Sequence, residues 1–223
     1  MAYQLFIGLI GEGPTDSRFL KEIIEKTFIE QARYCHTDVV IEGVQDVHIG
    51  PSKGTFVDKM LKAARQCQDM FVNVLCIHAD ADSPTSDHVM THKFTPFQAA
   101  LAAEPPDTHC LCIPLIPVQM TEAWMLANKH ILQTRIGAAT LSQTTLGIDR
   151  LPETYADPKS AIKTAIQTAQ RHRTRRHRHD LTLNDLYEEM GQLTDLTSLR
   201  TLPSFQNFER DVREAMRYLG LMA

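Results

Sequence analysis

Several features that would place a chain in a specialised class are missing from this sequence of 223 residues. Its five cysteines form no Cys-x-x-Cys pair, which argues against a zinc module or a disulfide framework and favours free thiols in a reducing compartment. No apolar stretch has membrane-spanning length, and the N-terminus lacks the pattern of a secretory signal. We therefore expect a cytoplasmic protein without a membrane partner.

An excess of positive charge is also missing. Acidic residues outnumber Lys and Arg by 27 to 23, so bulk charge does not favour a protein that coats nucleic acid. A local basic patch would still suffice to contact a phosphate backbone. One biased segment, residues 171–179, holds arginines and histidines without an acid, and it is the candidate for such a patch.

Apolar segments alternate with segments of helical periodicity in the first part of the chain. Predicted strands cover residues 4–10, 38–49, 71–77 and 110–118, and predicted helices cover 16–32, 56–66, 95–103 and 121–128. A polar loop of about fifteen residues is expected after the third strand. Strands separated by helices predict a parallel sheet wound by right-handed crossovers, which is an α/β fold.

The character of the sequence changes after the fourth predicted strand. Beyond residue 130 the segments are helical, and residues 158–171 and 204–219 are the clearest amphipathic helices. We therefore expect an α/β domain over residues 1–130 and a helical extension over residues 131–223.

Acidic side chains follow three of the four predicted strands. Glu12 follows the first strand, Asp80 and Asp82 follow the third, and Glu122 follows the fourth. Ligands of open α/β sheets bind at this carboxyl edge. Two carboxylates about 4 Å apart repel by roughly 4 kcal/mol at an effective dielectric near 20, unless a cation or a proton offsets their charge. Because oxygen ligands select Mg²⁺ or Mn²⁺ over zinc, the sequence predicts a divalent metal site at this edge.

Each of these acids also has a purely structural interpretation. Pro14 followed by Asp16 is an ordinary helix start. Asp82 can open a turn, and Glu122 can be a first-turn acid of a capped helix. The metal site is favoured because the acids all follow strands.

The ordered acids resemble the Toprim domain of topoisomerases, primases and nucleases, whose signature is one glutamate and a later Asp-x-Asp. Glu12-Gly13-Pro14-Thr15-Asp16 and Asp80-Ala81-Asp82 carry the resemblance, which covers residues 4–128. His78 and Thr121-Glu122-Ala123-Trp124-Met125-Leu126 are similar to an uncharacterised bacterial branch related to OLD nucleases and RloB-type phage-resistance proteins.

The resemblance implies a Rossmann-like fold and phosphodiester chemistry that depends on Mg²⁺ or Mn²⁺. Asp80 and Asp82 would hold metal, and Glu12 would ligate metal or relay protons. Asp16 would bind a second ion, and Glu122 stands at a family position without an assigned role. The short chain and its lack of cysteine pairs set aside topoisomerase and primase, so a nuclease in anti-phage defence is the expected function.

Nucleic acid, either DNA or RNA, is the expected partner. A protein partner, such as an ATPase or another defence protein, would be compatible with this function, and so would a homo-oligomer. Phosphate contacts are expected from Lys159, Arg171, Arg173, Arg175, Arg176 and Arg178. The alternative for these basic residues is a solvated or protein-binding helix end, where cations are favoured.

Two alternative functions remain open. The first is a catalytically weak regulatory subunit that binds nucleic acid or nucleotides and needs a partner. The second is glycosyl transfer, in which Asp80 and Asp82 hold a nucleotide sugar through a metal. That second function predicts a nucleotide pocket and gives Glu12 no place beside the metal.

Overall fold

The computed structural model describes residues 2–11, 13–50, 53–172 and 181–223. Within these ranges four strands form one sheet: β1 (Tyr3–Ile10), β2 (Val39–Asp46), β3 (Val74–His78) and β4 (Leu111–Leu115). Their order is β2-β1-β3-β4, and every neighbouring pair is parallel. The predicted α/β fold with a parallel four-stranded sheet is confirmed.

Helices flank the sheet and make up the C-terminal part of the described chain. They are α1 (Pro14–Ala32), α2 (Phe56–Asp69), α3 (Asp87–Val89), α4 (Thr95–Ala102), α5 (Thr121–Met125), α6 (Lys129–Arg135), α7 (Gln143–Leu146), α8 (Pro158–His172), α9 (Tyr187–Leu193), α10 (Leu196–Leu199) and α11 (Pro203–Tyr218). Short 3₁₀ turns cover Pro106–Thr108, Leu126–Asn128, Pro152–Thr154 and Leu183–Asp185. No helix in the described ranges combines the length and the apolar character needed to cross a membrane.

The two faces of the sheet bury different sets of side chains. One face packs on α1 and on helices α5 to α11, and its core includes Leu5, Ile7, Val74 and Leu115. The other face packs on α2 and α4. Because strand side chains alternate between faces, the continuous apolar runs of β1 and β3 fit a sheet that is covered on both sides.

Three predicted strand boundaries are wrong, and one of them is the end of β4, which lies at Leu115 rather than at Val118. Phe71 does not begin β3: its φ is 56°, its side chain is exposed, and its N–H donates to Gln68 to close the turn after α2. This left-handed backbone is incompatible with a strand. β2 ends at Asp46 rather than at Ile49, although the Val47 N–H still donates to the Leu9 carbonyl.

The loop predicted after β3 contains helical structure. A five-residue π-helical turn, Met90–Phe94, joins α3 to α4. Pro96 has no N–H to donate to the carbonyl four residues earlier, and its ring would clash there in a regular helix. A widened turn accommodates the proline and lets the helix continue, which explains why breaker residues do not end the helical structure here.

Helix α9 approaches α1 closely at Gly191. A Cβ built on Gly191 would lie 2.9 Å from the Phe19 carbonyl oxygen and 3.1 Å from the Glu22 Cβ. The Lys26 ammonium of α1 donates to the carbonyl oxygens of Gly191, Gln192 and Thr194 at 2.7, 2.6 and 3.0 Å. A cation at the end of α9 satisfies carbonyls that have no partner within the helix.

We predict that Gly191→Ala lowers the free energy of unfolding. Alanine gains about 1 kcal/mol of helix propensity over glycine, but overpacking costs about 1–3 kcal/mol. The contact atom on Phe19 belongs to the backbone and cannot rotate away, so the clash outweighs the propensity. Urea denaturation measures the change. Gly50→Ala is the matched control, because a Cβ there meets nothing within 4 Å, and an equal effect of both variants would contradict the prediction.

Candidate functional site

Asp80 stands immediately beyond β3, where hydrogen bonds fix its carboxylate. Its Oδ1 accepts from the Thr121 backbone N–H at 2.9 Å and lies 3.1 Å from His78 Nε2. The Thr121 hydroxyl lies 3.1 Å from the same His78 nitrogen. Because His78 is fully buried and Thr121 begins α5, two adjacent strand ends hold one carboxylate in place.

The chain around Asp82 is strained. Asp82 and Gln119 both have left-handed backbones, with φ of 48° and 61°. The Asp82 N–H donates to the Gln119 carbonyl at 2.8 Å, and the Gln119 N–H donates to the Ser83 carbonyl at 3.1 Å. Residues other than glycine rarely adopt this left-handed backbone conformation, and such strain concentrates at functional sites. The Asp82 side chain is exposed, and its role as a metal ligand stays a prediction.

Glu122 is a buried carboxylate with partners from the C-terminal part of the chain. The Tyr187 hydroxyl of α9 donates to its Oε1, and the Lys159 ammonium of α8 lies 3.2 Å from the same oxygen. Burial, together with the hydrogen bond to Glu122, raises the pKa of Tyr187. Burial lowers the pKa of Lys159, but the charge and the hydrogen bond of Glu122, together with the charges of Asp16 and Asp80, raise it overall. Glu122 is therefore an ion-paired carboxylate.

Asp16, in the first turn of α1, belongs to the same cluster. Burial raises the pKa of Asp16 to about 6. The carboxylates of Asp80 and Glu122 add to this rise, whereas His78 and Lys159 lower it. The structure thus brings together three of the predicted acids, Asp16, Asp80 and Glu122, with the predicted base Lys159.

Other predicted residues lie elsewhere or are not described. Glu12, Arg173, Arg175, Arg176 and Arg178 lie outside the described residues. Arg171 is exposed in the last turn of α8, twelve residues from Lys159 in the first turn. At 1.5 Å per residue the two backbones are about 18 Å apart. Arg171 is therefore at the other end of α8 from the acidic cluster.

A metal ion at the acidic cluster would have to be bound mainly through water. In the ranges that the structure describes, no three His, Cys, Asp or Glu side chains are arranged to hold a metal ion. Mg²⁺ usually takes one or two carboxylates and completes its shell with waters and substrate phosphates. Asp16 and Asp80 are the carboxylates that could supply oxygen ligands. Burial, and to a smaller extent the charges of Asp80 and Glu122, raise the pKa of Asp16, and a cation beside it would favour the ionised form.

Two contributors to the site could not be identified as such from the sequence. Thr121 belongs to the motif that carries the family resemblance but has no predicted role of its own, yet it holds Asp80 through both its N–H and its hydroxyl. Tyr187 is 65 residues from Glu122 and has no motif around it. Trp124 is a packing residue: it is fully buried, and its Nε1 donates to the Ser204 hydroxyl at 2.7 Å.

We predict that Asp16 makes the fold less stable as the pH rises from 3.8 to about 6. Its pKa is raised in the folded state, so the folded protein binds more protons than the unfolded chain in this window. The loss of stability caused by ionising Asp16 in the folded protein persists at neutral pH. Asp16→Asn removes it, and we expect the variant to be more stable than wild type at neutral pH and less dependent on pH.

Urea denaturation across this pH range measures the effect, and carboxyl NMR follows Asp16 directly. Mg²⁺ should lower the pKa of Asp16, because the ion binds the ionised carboxylate. Asp69→Asn, an exposed carboxylate at the end of α2, is the matched control. An Asp16 that titrates near 3.8 would contradict the prediction.

Comparisons with known proteins place the chain in a family. No curated protein and no solved structure matches it significantly. The model of one protein family, described as Domain of unknown function (DUF4276), matches residues 11–213. Since this match spans most of the chain, including α1, strands β2, β3 and β4 and most of α11, the protein belongs to the DUF4276 family.

Proposed function

We propose that this protein is a Toprim-like nuclease that hydrolyses phosphodiester bonds of DNA or RNA with Mg²⁺ or Mn²⁺. One observation carries the proposal: the Asp16, Asp80 and Glu122 carboxylates interact at the carboxyl edge of a parallel sheet, with Lys159 beside them. Parallel sheets bind ligands at this edge. Carboxylates that repel one another need a cation, and phosphate groups of a substrate complete the shell of Mg²⁺.

Asp80 and Asp16 are the residues that would hold the metal, and the family resemblance adds Glu12 and Asp82. A bound Mg²⁺ polarises a phosphoryl oxygen and lowers the pKa of bound water. Thr121 and His78 orient Asp80 by bonding its Oδ1. Such supporting bonds hold a carboxylate in the geometry that a metal requires.

Lys159 supplies the positive charge of the site. Its side chain is about half exposed, while its ammonium lies 3.2 Å from the buried Glu122. An ammonium in this place can contact a non-bridging phosphate oxygen while it remains paired with Glu122. The Tyr187 hydroxyl donates a hydrogen bond to Glu122 and so keeps that carboxylate aimed at Lys159. Glu122 therefore acts as a positioning residue for Lys159.

Cleavage assays test the proposal. Single- and double-stranded DNA, RNA and tRNA would be incubated with the protein and Mg²⁺, Mn²⁺ or EDTA. We expect cleavage with metal, none with EDTA, and loss of cleavage in Asp80→Ala and Glu12→Ala. The control Asp69→Asn should behave as wild type.

Two outcomes would overturn the proposal. Equal cleavage by wild type, Asp80→Ala and Glu12→Ala would place the activity elsewhere. Binding of nucleic acid without cleavage, under every metal condition, would favour the regulatory subunit instead.

A further inference from the structure

Two histidines outside the acidic cluster lie side by side on the surface. His88 belongs to α3 and His92 to the π-helical turn that follows it, and both side chains are exposed. Their rings stack, with centroids 4.2 Å apart and planes inclined by 29°. Residues four positions apart on a helix share one face, and the π-helical turn preserves that arrangement here. We call these two side chains the histidine pair.

The backbone that carries the histidine pair is anchored from the opposite face. Val89 and Phe94 are buried in the core on the α2 and α4 side of the sheet. The Met90 N–H donates to the Ser86 carbonyl at 2.9 Å, and the Thr95 N–H donates to the Met90 carbonyl. Because the segment is already ordered, a ligand that joins the two rings has only side-chain freedom to restrict.

A hydrogen bond orients the His92 ring. Its Nδ1 lies 3.0 Å from the His88 carbonyl oxygen. A carbonyl oxygen only accepts, so Nδ1 carries a proton and the neutral ring presents the lone pair of Nε2. Histidines that bind metal almost always donate their other ring N–H to such an acceptor, which fixes the tautomer and the ring orientation. His92 is therefore held in the form that a metal ligand takes.

We propose that the histidine pair binds a divalent ion of the Zn²⁺, Ni²⁺ and Cu²⁺ class through one nitrogen of each ring. Imidazole suits these ions, whereas Mg²⁺ prefers oxygen. Two ligands leave the rest of the shell to water, which agrees with the lack of any set of three ligating side chains in the described ranges. The proposal uses none of the acidic residues and does not rest on the proposed nuclease.

The neighbours of the histidine pair indicate a structural ion rather than a catalytic one. Helical histidines at this spacing hold the zinc of metalloproteases when a glutamate directly follows the first histidine and acts as general base. The buried Val89 occupies that position here. The ion would instead tie α3 to the π-helical turn, and so brace the helical segment that follows the strained chain around Asp82.

Calorimetry with Zn²⁺ and Ni²⁺ tests the inference on the full chain. Titrations at neutral pH would contain excess Mg²⁺, so that oxygen sites are occupied. We expect one ion per wild-type chain and at least tenfold weaker binding in His88→Gln and His92→Gln, because even the outer partners of metal ligands contribute tenfold or more. His130→Gln is the matched control: His130 is exposed on α6 and has no histidine four positions away.

Nitrogen NMR of the imidazoles identifies the ligand atoms. Zn²⁺ should shift the Nε2 resonance of His92 while Nδ1 keeps its proton. Binding that His88→Gln and His92→Gln leave unchanged would place the ion elsewhere, for instance at thiols, and would overturn the inference. Displacement of the ion by Mg²⁺, or no binding at all, would overturn it as well and leave a solvated pair of histidines.

Urea denaturation tests the bracing role separately. An ion that binds the folded chain more tightly than the unfolded one stabilises it. Zn²⁺ should therefore raise the unfolding midpoint of wild type and of His130→Gln, and raise it less in His88→Gln and His92→Gln. An equal rise in all four proteins would overturn the brace. None of these measurements depends on cleavage of nucleic acid, so failure of the proposed function leaves them intact.

Discussion

Asp80→Asn is expected to lower metal-dependent cleavage by roughly 100-fold or more, since a bound metal supplies several kcal/mol of transition-state stabilisation. Asparagine removes the charge that would hold the cation in the proposed site. It keeps an amide oxygen in place of Oδ1, so the hydrogen bonds from the Thr121 N–H and from His78 can persist. The loss of activity should therefore come without a comparable loss of stability.

Single-turnover cleavage rates across a Mg²⁺ titration measure this effect. If Asp80 holds the metal, Asp80→Asn should also require more Mg²⁺ for half-maximal rate, which a merely structural role would not produce. The unfolding midpoint of the same preparation checks the fold. A variant that cleaves like wild type at every Mg²⁺ concentration would remove Asp80 from the metal site.

Trp124→Ala is expected to lower the free energy of unfolding by about 3–5 kcal/mol, the range for deleting a fully buried large aromatic side chain. The indole packs edge-on against Phe205 with ring centroids 5.3 Å apart, and its Nε1 donates to Ser204. Both partners belong to α11, whereas Trp124 belongs to α5. The substitution therefore leaves a cavity where α11 packs against the helix that carries Glu122.

Chemical denaturation measures the loss. Tyr218→Ala is the matched control, because this aromatic side chain of α11 is 77% exposed and should change the stability by no more than about 0.5 kcal/mol. The loss of stability in Trp124→Phe should lie between those of Trp124→Ala and Tyr218→Ala, because phenylalanine keeps a ring near Phe205 but lacks the donor to Ser204. A Trp124→Ala effect as small as that of Tyr218→Ala would contradict the packing role.

The sheet and the position of the acids could be predicted from the sequence because both follow from local patterns. Buried parallel strands are nearly continuous apolar runs, as in β1 and β3. Residues that follow such strands must meet at one edge, whatever the helices between them do. Asp80 and Glu122 therefore both act on the charge of Asp16, even though 42 positions separate them.

The details that depend on tertiary contacts could not be predicted. The end of α2 places Phe71 in a left-handed turn, although its side chain favours a strand. The π-helical turn depends on how Pro96 is accommodated within a packed helix, which breaker statistics do not describe. Tyr187 reaches Glu122 only because α9 packs against α1, and no local pattern encodes that arrangement.

The pairing of Glu122 with Lys159 also constrains the order in which these positions can change during evolution. The Glu122 side chain is almost wholly buried, whereas that of Lys159 is about half exposed. A lineage that loses the carboxylate first leaves a lysine that water can solvate. A lineage that loses the lysine first leaves a buried negative charge with the Tyr187 hydroxyl as its donor. Losing Glu122 before Lys159 therefore costs less stability than the reverse order. We expect the acid at position 122 to be replaced before the base at position 159.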